Sequence, residues 1–191
     1  MRSLLVLFGT LLAAVMLSGG TPVIADLVGK PVTPLRFTED TSAVMLFFVA
    51  PDCPISNRYA PTIARLASTY AAKGVETWLI YADDQADPVV IRTHQSEFKL
   101  ELPTALDREY TLTKYTGADV TPEVVVYVPG SSAEAPPQLV YRGRIDDQYE
   151  GFGRYRPTAT SSELTQTLDQ VFAGSVPTPV ITKAIGCYIP R

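Results

Sequence analysis

The chain has 191 residues, 46% apolar and 19% charged, with sixteen prolines, two cysteines and a single histidine. That composition excludes a collagen-like or charge-driven disordered chain, and two cysteines are too few for a disulfide-built miniprotein. Sixteen Lys and Arg against twenty Asp and Glu leave a net charge of −4, so the clustered basic residues of a nucleic-acid binder are not expected, and one histidine with two cysteines cannot close a four-ligand zinc shell.

The N-terminus reads as an address. Arg2 is followed by an apolar run, Leu4 to Leu17, broken only by Gly9 and Thr10, and the small residues of Val23-Ile24-Ala25 precede Asp26. This is the shape of a secretory signal over residues 1–25 and is too short for a confident membrane span. Leu17-Ser18-Gly19-Gly20 has Gly20 where a lipoprotein signal carries its cysteine. The expectation is a periplasmic or secreted protein with no stable membrane anchor after cleavage.

Residues 26–174 alternate strand and helix patterns. Val32 to Phe37 reads as an edge strand limited by Pro31 and Pro34. Ala43 to Val49 is a continuous apolar run, as in a strand covered on both faces. A helix is predicted from Cys53 to Gly74, with Ile55, Tyr59, Ile63, Leu66 and Tyr70 on one stripe and a kink at Pro61, which removes the bond to the Asn57 carbonyl. A strand over 75–81 follows, then a helix opened by Asp87-Pro88 and running to about Lys99. A short extended piece over 102–106 and a short helix over 108–115 come next. Strands over 123–128 and 138–145, joined by a short loop, and a helix capped by Ser161 or Ser162 complete the pattern. The loop between that last strand pair is too short for a parallel crossover, so the expected class is α/β with a mixed central sheet flanked by helices. Residues 175–191 hold three prolines and read as an extended tail carrying Cys187.

The chemistry concentrates where the first long helix begins. In Phe47-Phe48-Val49-Ala50-Pro51-Asp52-Cys53-Pro54 an apolar strand runs into a turn with a cysteine at a helix N-terminus. Free backbone N–H groups and the helix dipole favour a thiolate there, which makes Cys53 the candidate nucleophile, exposed and acidic. Asp52 opposes ionisation by like charge. A second feature, Thr121-Pro122 just before a strand, is a candidate cis peptide that would present the Thr121 backbone to a bound chain.

In this order, these features resemble the thioredoxin superfamily. The similarity lies with its exported redoxin branch, which includes the alkyl hydroperoxide reductase/thiol-specific antioxidant proteins. The resemblance covers residues 26–174 and implies a thioredoxin-like fold, a nucleophilic Cys53, a cis Pro122 and a substrate-binding role for Thr121 and Pro122. No cofactor and no metal site are expected. Three companions known in the family are absent. Ser56 stands where C-x-x-C has its second cysteine. Leu46 and Ala50 replace the proline and threonine of P-x-x-x-T-x-x-C. Asn57 occupies the second thiol position of the C-x-x-x-C copper-chaperone pattern.

Cys187 is the remaining candidate partner of Cys53. The fourteen residues from Ala173 span up to about 46 Å at roughly 3.3 Å each, enough to reach Cys53 across a domain of this size. Cys187 either resolves a mixed disulfide or sulfenic acid formed on Cys53, or forms with it a permanent staple worth about 3–5 kcal/mol. Three functions stand open. The first is thiol–disulfide exchange with protein thiols or disulfides, the second reduction of a small peroxide, and the third a stapled, non-catalytic binding module. His94 reads as a packing or surface histidine, Trp78 as core, and Asp83, Asp84 and Asp87 as a solvated loop ending in a cap. Asp146-Asp147 with Arg142 and Arg144, the arginines on one strand face, read as a polar edge. The loop over 146–160 is long enough to serve recognition.

Overall fold

A computed structural model describes residues 20–132 and 134–190. The expected leader falls mostly outside the described residues. In chain order the elements are β1 Ile24–Asp26, β2 Pro31–Val32, β3 Ala43–Phe48, α1 Pro54–Ala71, β4 Val75–Tyr81, α2 Pro88–Phe98, β5 Thr104–Leu106 and α3 Thr111–Thr116. They continue as β6 Val120–Thr121, β7 Glu123–Val128, β8 Gln138–Gly143, β9 Tyr149–Gly151, β10 Arg154–Tyr155, α4 Glu163–Phe172, β11 Val180–Ile181 and β12 Cys187–Tyr188.

The main sheet runs β11-β8-β7-β3-β4-β5-β1-β2. Its centre, β3, is parallel to β4 and antiparallel to β7, so the sheet is mixed. Every residue of β3 is buried, because the sheet is covered on both faces. Met45 and Phe47 point into a core with Ile55, Ile63 and Leu66 of α1 and Leu164 and Leu168 of α4. Leu46 and Phe48 point into a second core with Leu35 and with Leu112 of α3. The apolar stripe of α1 is the seam expected from its spacing, and the helix runs through Pro61 without a break. Asp87 caps α2 by accepting the Val89 N–H.

Several boundaries differ from the sequence reading. Strand β2 is only two residues, since a turn begins at Pro34. Strand β1 straddles the 25/26 boundary at which the leader was expected to end, pairing with both β2 and β5. Trp78 is half-buried rather than core. Arg142 and Arg144 do not share a strand face. The backbone of Gly143 turns at φ +144°, after which Arg142 donates to the Gly117 carbonyl beyond α3 and Arg144 pairs with Glu163 of α4.

The tail is not free. Strand β11 adds in parallel beside β8, and Thr182 reaches Tyr141 Oη and the Arg144 N–H. A Cβ on Gly143 would lie 2.2 Å from Thr182 Oγ1, so the tail's approach requires glycine there. The loop over 146–160 folds into the β9–β10 hairpin and is clasped by two buried carboxylates. Asp147 accepts from the Thr160 hydroxyl and from the Ser161 and Thr160 N–H groups; those bonds and Arg156 hold its carboxyl well below the usual range. Asp146 accepts from the Tyr59 hydroxyl at 2.6 Å, tying this loop to the helix that carries Cys53 at its start. Tyr59→Phe should lower stability by about 1–3 kcal/mol, read as a lower urea midpoint, because a buried carboxylate loses a donor. An unchanged midpoint would show that this tie holds nothing.

Candidate functional site

Cys53 is the N-cap residue of α1, with Pro54 at the first helical position. The turn before it is pinned by the Ala50 N–H donating to Ser56 Oγ at 3.3 Å and by Asn57 Nδ2 donating to the Pro51 carbonyl at 2.9 Å. Ser56 and Asn57 therefore shape the loop that leads into Cys53. Thr121-Pro122 is a cis peptide, as expected. It faces Cys53, whose Sγ lies 3.0 Å from the Thr121 carbonyl.

The third side of the site is the tail. Strand β12 pairs antiparallel with β6, setting Cys187 opposite Thr121 and Tyr188 opposite Val120. The Ile189 N–H donates to the Asp119 carbonyl at 3.0 Å, and the Thr121 hydroxyl lies 3.5 Å from the Cys187 carbonyl. The structure thus gathers all four residues singled out in the sequence, Cys53, Cys187, Thr121 and Pro122. Both cysteines are free thiols.

The two sulfurs titrate in opposite directions. Burial opposes ionisation of Cys53, but the Cys187 thiol, the Ser56 and Cys187 N–H groups and the Thr121 hydroxyl outweigh it, and its pKa falls below the ordinary value. Burial, donation to Cys53 and the charges of Cys53 and Asp52 push Cys187 up to about 12. Asp52, expected to act against Cys53, bears on Cys187. The shift of Cys53 has the expected direction, with the Cys187 thiol ahead of the helix-start amides as its cause; the expected accessibility is not found. Cys53 is 0% exposed: it belongs to the main core, and Cys187 of β12 packs against that core.

Two supporting groups were not singled out for the site. Glu123, buried directly after Pro122, accepts the Asp119 N–H at 2.7 Å and the Val120 N–H at 3.3 Å, so its carboxylate holds β6 in place. Burial pushes the Glu123 carboxyl above its usual range, while those donors and Arg142 pull against it. A charged residue opening the otherwise apolar strand Glu123–Val128 was its only sequence signal. His94 is buried with Nε2 at 2.8 Å from Asn57 Oδ1 and Nδ1 at 2.8 Å from Tyr81 Oη. Asn57 spends its amide on Pro51, so its oxygen accepts from Nε2–H, and His94 Nδ1 accepts from Tyr81. A packing histidine was expected; this one also braces the loop that leads into Cys53. Among the described residues, no three His, Cys, Asp or Glu side chains gather as a metal site.

No family model matches the chain, and no curated protein does. Solved structures do. A hypothetical protein of Sinorhizobium meliloti aligns with a TM-score of 0.70 at 25% identity, covering 87% of this chain and 88% of that one. An uncharacterized conserved protein of Geobacillus kaustophilus gives 0.70 at 21% identity, covering 90% and 89%. A secreted Mycobacterium tuberculosis disulfide oxidoreductase homologous to E. coli DsbE gives 0.51 at 20% identity, covering 80% and 96%.

Two measurements check the site's electrostatics. Thiolate absorbance against pH should show Cys53 ionising below the ordinary cysteine value of 9.0, and Cys187→Ala should move that titration upward by removing a donor. A titration unmoved by the substitution contradicts the contact. Burial lowers the His94 pKa below 6.5, Glu97 opposing weakly, so His94 folds neutral. Its contribution to stability is complete above the unfolded value and is lost as pH falls through it toward the folded value. The urea midpoint should therefore drop from about pH 6.5 downward, and His94→Gln should flatten that slope; an equal slope in both proteins contradicts it. Sheet order, the cysteine-capped first helix and the cis proline opposite it, together with these alignments, give this chain the thioredoxin fold.

Proposed function

We propose that the protein is an exported thiol–disulfide oxidoreductase in which Cys53 and Cys187 form the redox pair. The observation that carries this reading is the pairing of β12 with β6, which sets the Cys187 thiol against the Cys53 sulfur at the start of α1. In the reducing direction, the Cys53 thiolate attacks a substrate disulfide. Its sulfur bonds one substrate sulfur, and the other leaves as a thiolate that takes a proton. The Cys187 thiol loses its proton and attacks Cys53, releasing the second substrate thiol and leaving a Cys53–Cys187 disulfide. Two electrons pass to the substrate. An external dithiol restores the pair, and Cys187, partly exposed where Cys53 is covered, is the sulfur it attacks. The reverse sequence oxidises a dithiol substrate.

Stabilising the Cys53 thiolate stabilises the reduced form, which makes the disulfide easier to reduce and favours an exchanging bond over a permanent staple. Peroxide reduction ranks lower. Ala50 leaves no hydroxyl at the position where peroxide reducers carry threonine, and a polypeptide strand bearing a thiol fills the space in front of Cys53. Export rests on the pattern of residues 1–25 and on the secreted character of the Mycobacterium tuberculosis neighbour. A cleavage ahead of Ile24 keeps β1 whole.

The reduced protein should reduce a model protein disulfide. Cys53→Ser should abolish that activity, and Cys187→Ser should accumulate a mixed disulfide on Cys53. Activity retained in Cys53→Ser, or no trapped species in Cys187→Ser, rejects the assignment.

A further inference from the structure

The segment that covers Cys53 belongs to this chain, and its side chains divide by position. Gly186 is buried against the cis peptide; a Cβ there would lie 2.1 Å from the Thr121 carbonyl oxygen and 2.6 Å from its carbon. Cys187 meets Cys53. Tyr188 is 83% exposed and touches no selecting surface, while Ile189 is 6% exposed and enters the second core beside Leu112, Ala118 and Val125. The pairing is short. Strand β12 has two residues and pairs with β6 alone among the described strands; the linker from Gly174 to Pro179, ahead of the β11 anchor, is mostly exposed. Opening β12 costs the β6 ladder, the Ile189 N–H bond to Asp119 and the burial of Ile189, a local unfolding that leaves the main sheet paired.

We infer that Gly186–Ile189 is a tethered stand-in for the substrate, and that the β6 edge accepts an incoming extended polypeptide of the pattern small–Cys–any–apolar once this strap peels away. The proposal rests on the thiol–disulfide reading and adds to it a substrate pattern and a cover. A substrate sulfur cannot reach a fully buried Cys53 while β12 is seated, so the incoming segment takes over the backbone bonds of Val120 and Thr121. A side chain larger than hydrogen before the cysteine meets the Thr121 carbonyl. An apolar residue two after it fills the Ile189 seat. The residue between faces solvent and is not read. Strap and substrate share one edge and compete for it.

The test uses the full chain carrying Cys187→Ser, so that Cys53 is the sole thiol. Alkylation of Cys53 by iodoacetamide should be slow and should accelerate about tenfold or more when Ile189→Asp or Gly186→Val loosens the strap, with the circular-dichroism spectrum unchanged. Two variants are used because Ile189 also belongs to the core. Synthetic Gly-Cys-Tyr-Ile, presented as a mixed disulfide with a chromogenic thiol, should react with Cys53 about tenfold faster than the same peptide with valine for glycine or aspartate for isoleucine. Changing its tyrosine to serine should have little effect. Unstrapped alkylation no faster than strapped overturns the cover. Equal rates for all peptides overturn the substrate pattern. Strap-controlled alkylation with no peptide exchange at all leaves the cover standing and rejects the thiol–disulfide reading instead.

Discussion

Much of this molecule is organised around the Thr121 carbonyl. It lies 3.0 Å from the Cys53 sulfur, and the residue that carries it pairs with Cys187 across the β6–β12 ladder. One backbone position thus meets Cys53 on one side and Cys187 on the other. Holding it there takes the cis bond to Pro122, the buried Glu123 carboxylate that gathers the Asp119 and Val120 N–H groups, and the antiparallel pairing of β7 with β3, which anchors Glu123 opposite Phe48. The same central strand, β3, delivers the chain into the turn before Cys53. Strand and site are therefore one mechanical unit.

The acidity of Cys53 is the net of opposed effects. Burial under the tail removes water and penalises charge, yet the covering strand brings the Cys187 thiol and N–H, and the helix start brings the Ser56 N–H. The strap both seals the sulfur and solvates it. A cysteine left at a helix start without that strap would gain water but lose two donors. This coupling explains how one segment can serve as partner and cover together.

The sequence made legible what local chemistry determines. The Cys53-Pro54 helix start, the α1 stripe, the Asp87-Pro88 cap and the Thr121-Pro122 step each declare themselves within a few residues, and the apolar runs at 43–49 and 123–128 mark the sheet centre. What stayed hidden depends on distant pairings. The reach of Cys187 to Cys53 could be bounded by tail length, but its register against Thr121 is set by Thr182 docking at Gly143 and Ile189 entering the second core. Asn57 reads locally as a missing thiol; its contact with His94 appears only when α2 packs beside α1. Asp146 and Asp147 look like a surface charge cluster until the loop at 156–161 closes over them. The alternation that placed Arg142 and Arg144 together fails because Gly143 takes a backbone conformation that ends the strand.

The central claim is that Cys53 and Cys187 interconvert between a dithiol and a disulfide in the native fold. The direct measurement equilibrates the purified protein in dithiol/disulfide buffers of graded potential, traps the thiols and maps the bond by mass spectrometry. The account predicts a single Cys53–Cys187 bond that forms and breaks reversibly across the series while the protein stays folded. A bond that never forms, or one that forms and resists strong dithiols until the protein unfolds, would contradict it.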